Sequence, residues 1–227
     1  PAYILHSYPY RETSALIEFL TPNGRISAVL RNVRTKNGSL NRPFTALEID
    51  LKGRSDLKTV SRIEAISTPY FLTGSVLFSG FYLNELLIRL LPKHETCAAF
   101  FNIYSVAISQ LAQGFDIEMV LRIFERRLLH ELGYGFSLEV DLLGQAIIPS
   151  VAYRLQGGFL PVKRLDSGLF QGVDLLAISA GQWSNTSVLF TAKRLMRQAL
   201  APYLAAKPLK SRELFMNNKT LLNAKDD

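Results

Sequence analysis

The chain has 227 residues, 48% hydrophobic and 20% charged. That suffices for one large domain or two small ones with a core needing neither metal nor disulfide, and it excludes a disordered tail or a fibrous repeat. The net charge of +7, from 26 basic and 19 acidic side chains, favours phosphate-bearing or acidic partners.

The first third reads as strands. Tyr3–Tyr8 is a short apolar run before Pro9, and Thr13–Leu20 follows, closed by the turn Thr21-Pro22-Asn23-Gly24. Arg25–Leu30 comes next. Phe44–Leu51 sets Leu47, Ile49 and Leu51 against Glu48 and Asp50. Gly53–Asp56 turns the chain into Leu57–Ile66. Five such strands in about 65 residues predict a small closed barrel, because closure removes exposed edges. Pro69 breaks the pattern.

Helices follow. Ser75–Leu91 is apolar nearly all round, stops at Pro92, and is expected to be a buried central helix. Thr96 caps a second helix reaching Gln113 and Gly114. Ile117–Leu132 is a third, ended by Gly133-Tyr134-Gly135. Residues 139–171 are expected to be irregular, with short strands at Ala152–Leu155 and Gly158–Leu160. Ser187–Leu204 is a last helix, capped by Ser184 or Asn185, and a polar tail from Asn217 is expected to fray. The expected division is a β domain over 1–70 and a mainly α-helical domain over 71–227, with the irregular insert at 139–171.

No stretch of about 18 apolar residues reads as a membrane span. The start lacks a signal-peptide pattern, and the absence of an initial methionine suggests that a few residues precede Pro1. Cys97 is the sole cysteine, which excludes an internal disulfide and makes a reduced, cytoplasmic setting the default. His6, His94 and His130 show no metal-ligand spacing. Neither a GxxxxGK[ST] loop nor a GxSxG elbow occurs, and no acidic cluster suits a metal. No cofactor and no metal is expected, and a binding protein is favoured over an enzyme.

The basic residues gather in two regions. Residues 1–79 carry 10 basic and 6 acidic side chains; residues 193–219 carry 7 basic and 1 acidic. Within the first, Arg25 lies on a strand, and Arg31, Arg34, Lys36 and Arg42 lie on or beside a loop without acids. Such a loop on a small barrel suits the phosphate backbone of a nucleic acid; a solvated loop is the plain alternative. Lys193, Arg194 and Arg197, then Lys210 and Arg212, could track phosphates or serve as solvated surface, and the two readings stand level. On the third helix, Arg122 and Arg126 share a face beside the apolar stripe of Phe124 and Leu128. That combination suits a peptide bearing a carboxylate and an apolar side chain, but from these residues alone ion pairing with Glu118, Glu125 or Glu131 is favoured.

Several short motifs, taken in order, resemble the RecO family of bacterial recombination mediators. They include His6-Ser7, Glu12-Thr13-Ser14, Arg42-Pro43-Phe44-Thr45, Leu57-Lys58-Thr59 and Ser79-Gly80-Phe81-Tyr82-Leu83-Asn84-Glu85-Leu86-Leu87. Further along stand Phe124-Glu125, Leu132-Gly133-Tyr134-Gly135, Ala192-Lys193-Arg194, Leu200-Ala201-Pro202-Tyr203 and Lys207–Phe215. The resemblance spans nearly the whole chain and is strongest at Asn84-Glu85 and at Lys210-Ser211-Arg212.

The resemblance implies an α+β fold: a five-stranded OB-fold barrel, then a mainly helical domain with a small irregular β insert. It implies binding of single- and double-stranded DNA, annealing of complementary strands and, with RecR, loading of RecA on DNA coated with single-stranded DNA-binding protein. It places the acidic, Phe-ended tail of that protein on the helical domain, with Arg122 in the contributing position and Phe124 and Arg126 beside it. Action in the cytoplasm, at the nucleoid, follows from that role. The alternative is an RNA-binding barrel with a helical oligomerisation domain. Some family members carry a four-cysteine zinc site near 139–171. This chain has no cysteine there, so packing by Tyr153, Phe159 and Phe170 is expected to hold the segment instead, and Arg154 is a minor candidate within it.

Overall fold

The computed structural model describes residues 1–33, 38–54, 57–93, 98–163, 167–204, 208–211, 213 and 214. The expected cap Thr96, Cys97, His94 and the candidate cations Arg34, Lys36 and Arg212 lie outside them.

All five N-terminal strands form: β1 (Tyr3–Tyr10), β2 (Ser14–Thr21), β3 (Gly24–Leu30), β4 (Leu47–Lys52) and β5 (Lys58–Ala65). They make one sheet in the order β1-β2-β3-β5-β4, antiparallel except for β3 beside β5. The β2–β3 hairpin turns tightly because Thr21 Oγ1 accepts from the Asn23 amide at 3.1 Å and donates to the Gly24 carbonyl at 2.9 Å. Gly24 sits at φ 99°, which a side chain would resist. Ile4, Ile17, Phe19, Ala28, Leu30 and Leu47 pack into the sheet's concave core. The outer strands meet through Ala2 and Leu47, which exchange amide–carbonyl bonds of 2.7 and 2.9 Å. This single bridge draws the edges together without a continuous ladder, so the sheet curls into a barrel that is not fully closed.

Helices α1 (Gly74–Leu90), α2 (Ala98–Ala112) and α3 (Ile117–Glu131) follow. As expected of a helix apolar all round, α1 buries Tyr82, Leu83, Leu86 and Leu87. Gly114 at φ 81° and Gly133 at φ 80° follow the ends of α2 and α3. A three-stranded sheet comes next, β6 (Ala152–Leu155) between β7 (Phe159–Val162) and β8 (Phe170–Gln171). It is followed by α4 (Gly172–Ser179) and α5 (Thr186–Leu200). Asn185 caps α5, its side chain accepting from the Ser187 amide at 2.9 Å. The expected continuation of α5 to Leu204 instead tightens into a 3₁₀ turn, Ala201–Tyr203, where Pro202 removes an amide donor.

Two compact units result. One comprises residues up to Ile117 with the described C-terminal residues 208–211, 213 and 214; the other spans Glu118 to Leu204 within the described chain. The change from strand to helix near residue 71 therefore is not where the packing divides, because α1 and α2 pack with the barrel strands. Among the described residues no helix is long and apolar enough to cross a membrane.

Candidate nucleic-acid interface

On the barrel unit, Arg31 and Arg42 are exposed. Arg25 is not available in the same way. Its guanidinium pairs with Glu18 at 3.0 Å and donates to the Leu91 carbonyl at 3.1 Å, with the side chain only 12% exposed. Glu18, buried, also accepts from Ser27 Oγ at 2.6 Å and pairs with Lys93 at 3.3 Å. Arg25 thus neutralises a buried carboxylate. Lys52 and Arg54, exposed in the β4–β5 hairpin, have no ion-pair partner among the described residues. Sequence reasoning passed over them, although a cation on each side of the turn residue Gly53 was a visible signal.

The motifs that carried the resemblance prove to be joined in space. Asn84 donates to the Leu5 carbonyl at 2.9 Å and accepts from the Tyr104 hydroxyl at 2.7 Å. Leu5 is the residue skipped in the β1–β2 register, between Ile4 opposite Phe19 and His6 opposite Glu18. A bulged backbone thereby keeps a hydrogen-bond partner. Burial pushes the Tyr104 phenol well above its ordinary pKa, so it remains a donor. Glu85 receives the Lys210 amide at 3.0 Å, the Ser211 amide at 2.8 Å and the Ser211 hydroxyl at 2.7 Å. Its carboxylate caps the C-terminal helical turn beginning at Lys210. The Lys210 side chain is exposed beside this junction. Phe44, buried at φ 62°, lays its ring against Gly80, where a Cβ would fall 2.7 Å from two ring carbons.

In the second unit, the third helix differs from expectation. Arg122 is buried, its side chain 7% exposed, 2.9 Å from the fully buried Glu125 and 3.8 Å from Glu118. Phe124 is 1% exposed. It is a core residue. Arg126 is half-buried and Arg127 exposed, neither with an ion-pair partner among the described residues. Lys193 binds Glu118 at 2.5 Å. Arg194 donates to the Leu169 carbonyl at 2.6 Å and lies 4.4 Å over the Phe170 ring. Arg194 is therefore committed within the fold, whereas Lys193 is exposed and pairs with Glu118 at the surface. Of that trio only Arg197 stands exposed without an ion-pair partner among the described residues.

Family models described as Recombination protein O N terminal and Recombination protein O C terminal match residues 1–69 and 73–213. The chain belongs to the RecO family. It is 54% identical over 219 residues to the DNA repair protein RecO of Pseudomonas aeruginosa strain PAO1, covering 96% of this chain and 94% of that one. It is 52% identical over 221 residues to the DNA repair protein RecO of Stutzerimonas stutzeri, with the same coverage. The DNA repair protein RecO of Pseudomonas putida strain KT2440 is 52% identical over 217 residues, covering 95% of this chain and 96% of that one.

The barrel is accordingly the OB-fold of RecO proteins, held to one bridge at its seam. The segment where some RecO proteins carry cysteines is packed by aromatic rings here. Phe159 meets Tyr153, Phe170 and Phe136 edge to face at 6.4, 6.1 and 5.6 Å. Tyr153, Phe159 and Phe170 are each at most 1% exposed. Arg154 is half-buried on β6. Nothing in these relatives supports the RNA-binding alternative.

Proposed function

We propose that this chain is a DNA-repair mediator that works by binding, not catalysis, in the cytoplasm at the nucleoid. It holds single- and double-stranded DNA, anneals complementary strands, and acts with RecR to load RecA on DNA coated with single-stranded DNA-binding protein. The observation that carries this reading is the near full-length match to proteins named for DNA repair.

The charge distribution supplies a physical route. Phosphates bound by Arg31, Arg42, Lys52 and Arg54 on one unit, and by Arg127 and Arg197 on the other, release counterions. Neutralising both strands lowers the repulsion that opposes annealing. Arg25, Lys193 and Arg194 contribute through the fold that presents these groups. An acidic protein tail on α3 would compete with Glu118 and Glu125 for Arg122, so Arg126 is the cation more open to it.

The test is annealing of complementary oligonucleotides together with the salt dependence of DNA affinity. Arg31→Ala with Arg42→Ala is expected to weaken binding to all sequences about equally and to reduce the salt slope by about 1 to 2. Affinity indifferent to salt would overturn the reading. For the tail, Arg126→Ala is expected to weaken an acidic Phe-ended peptide while sparing DNA; equal peptide affinity would remove that assignment.

A further inference from the structure

Two tyrosines of the helical unit take no part in the contacts described above. Tyr134 follows the end of α3, and Tyr203 closes the 3₁₀ turn after α5. Their rings stack at 4.0 Å between centroids, 18° from parallel. A pair that only fastened two helix ends would be buried, yet Tyr134 and Tyr203 remain 47% and 38% exposed as residues. Each ring spends one face on its neighbour and leaves aromatic surface open to solvent.

A cavity of about 220 Å³ opens beside them. Pockets for whole cofactors or drug-sized molecules run to ~300–1,000 Å³, so this one suits a single ring system. Phe136 and Leu155 give it an apolar wall. Gln156 and Gln198 give it polar edges, both exposed, their side-chain amides without a hydrogen-bond partner among the described residues. An amide offers donor and acceptor together, which meets the edge of any base without selecting one. Gly157 at φ 78° brings bare backbone to the rim.

We propose that Tyr134 and Tyr203 form a stacking platform for an unpaired base of single-stranded DNA, its edge met by Gln156 and Gln198. The proposal rests on the reading of this chain as a DNA-binding protein. An open aromatic face stacks on every base, so the platform favours single over double strands without preferring a sequence. It gives the helical unit a contact with DNA that is not electrostatic.

The test measures affinity for oligothymidylate and for an abasic oligomer of the same length, using the wild type and the variant Tyr134→Leu with Tyr203→Leu. The variant is expected to lose about 10-fold on oligothymidylate, with its salt slope unchanged, and nothing on the abasic strand. No loss, or an equal loss on both strands, would overturn the platform. Photocrosslinking of wild-type protein to an oligomer carrying 5-iododeoxyuridine decides the matter even where the variant fails to fold. Adducts on Tyr134 or Tyr203 support the proposal; adducts confined to other residues refute it. Wild-type protein that binds no oligothymidylate would instead remove the DNA reading itself, and the platform with it.

Discussion

Gly80 shows how one missing side chain can decide local packing. Replacing a helix-interior glycine by alanine gains about 1 kcal/mol from propensity. Overpacking a filled core costs about 1–3 kcal/mol. The new Cβ would lie 2.7 Å from a Phe44 ring that is itself buried, so the cost is expected to win. Gly80→Ala should lower the denaturation midpoint, measured by urea titration. His6 supplies a pH signature. Burial lowers its pKa, Glu18 raises it and Lys210 lowers it, with a net fall below the ordinary 6.5. The folded protein therefore binds the proton more weakly than the unfolded chain. His6 is expected to cost stability as pH drops below about 6.5, the loss levelling off under its folded pKa. Melting temperatures at pH 7.5 and 5.5 check this, and His6→Asn should reduce the difference. At this scale the sequence displayed the important residues but not their partners. Asn84 and Glu85 stood out as a motif, while the groups they hydrogen-bond lie 20 to 126 positions away. Arg25 was more legible than its expected role allowed. The turn at Pro22-Asn23 sets Glu18 opposite Ser27, and Arg25, two residues along, shares that face.

Among the elements, the five barrel strands and four of the five α-helices of the described residues were readable within a few residues from alternation, glycine stops and proline breaks. The missing one, α4, spans eight residues and opens on Gly172, so its start carries a helix-weakening residue and its length gives little periodicity. That glycine has a packing reason, since a Cβ there would fall 2.0 Å from the Ile148 carbonyl oxygen. The cationic faces were misjudged for a different reason. Periodicity places Arg122 and Arg126 on one face of α3, but it does not say that Glu125 lies beneath the first and not the second. Arg122→Ala is expected to destabilise the protein by about 3–5 kcal/mol, because it removes the ion-pair partner that lies 2.9 Å from the fully buried Glu125 carboxylate. Arg126→Ala should shift stability by less than about 0.5 kcal/mol. Thermal unfolding of the two variants separates a structural arginine from a surface one. Asn185→Ala, which removes the cap of α5, is expected to cost about 1 kcal/mol.

For the molecule as a whole, the net charge of +7 overstates what faces a polyanion. Arg25, Arg122 and Arg194 are occupied inside the fold, and Lys193 is paired with Glu118 at the surface. The proposed DNA contacts come down to exposed groups such as Arg31, Arg42, Lys52, Arg54, Arg127 and Arg197. Composition gave the sign of the partner's charge; only the packing says which cations are exposed to meet it. The Glu85 carboxylate has a consequence in time. It closes on Lys210 and Ser211, so the unit built by the first half of the chain also takes in residues from its far end. A ribosome that has made every strand of the barrel has not yet supplied the piece that finishes it. A chain that stops before Lys210 would lack the two amides and the hydroxyl that Glu85 receives, so its barrel unit would be left unsealed although the segment that builds the helical unit has already been made.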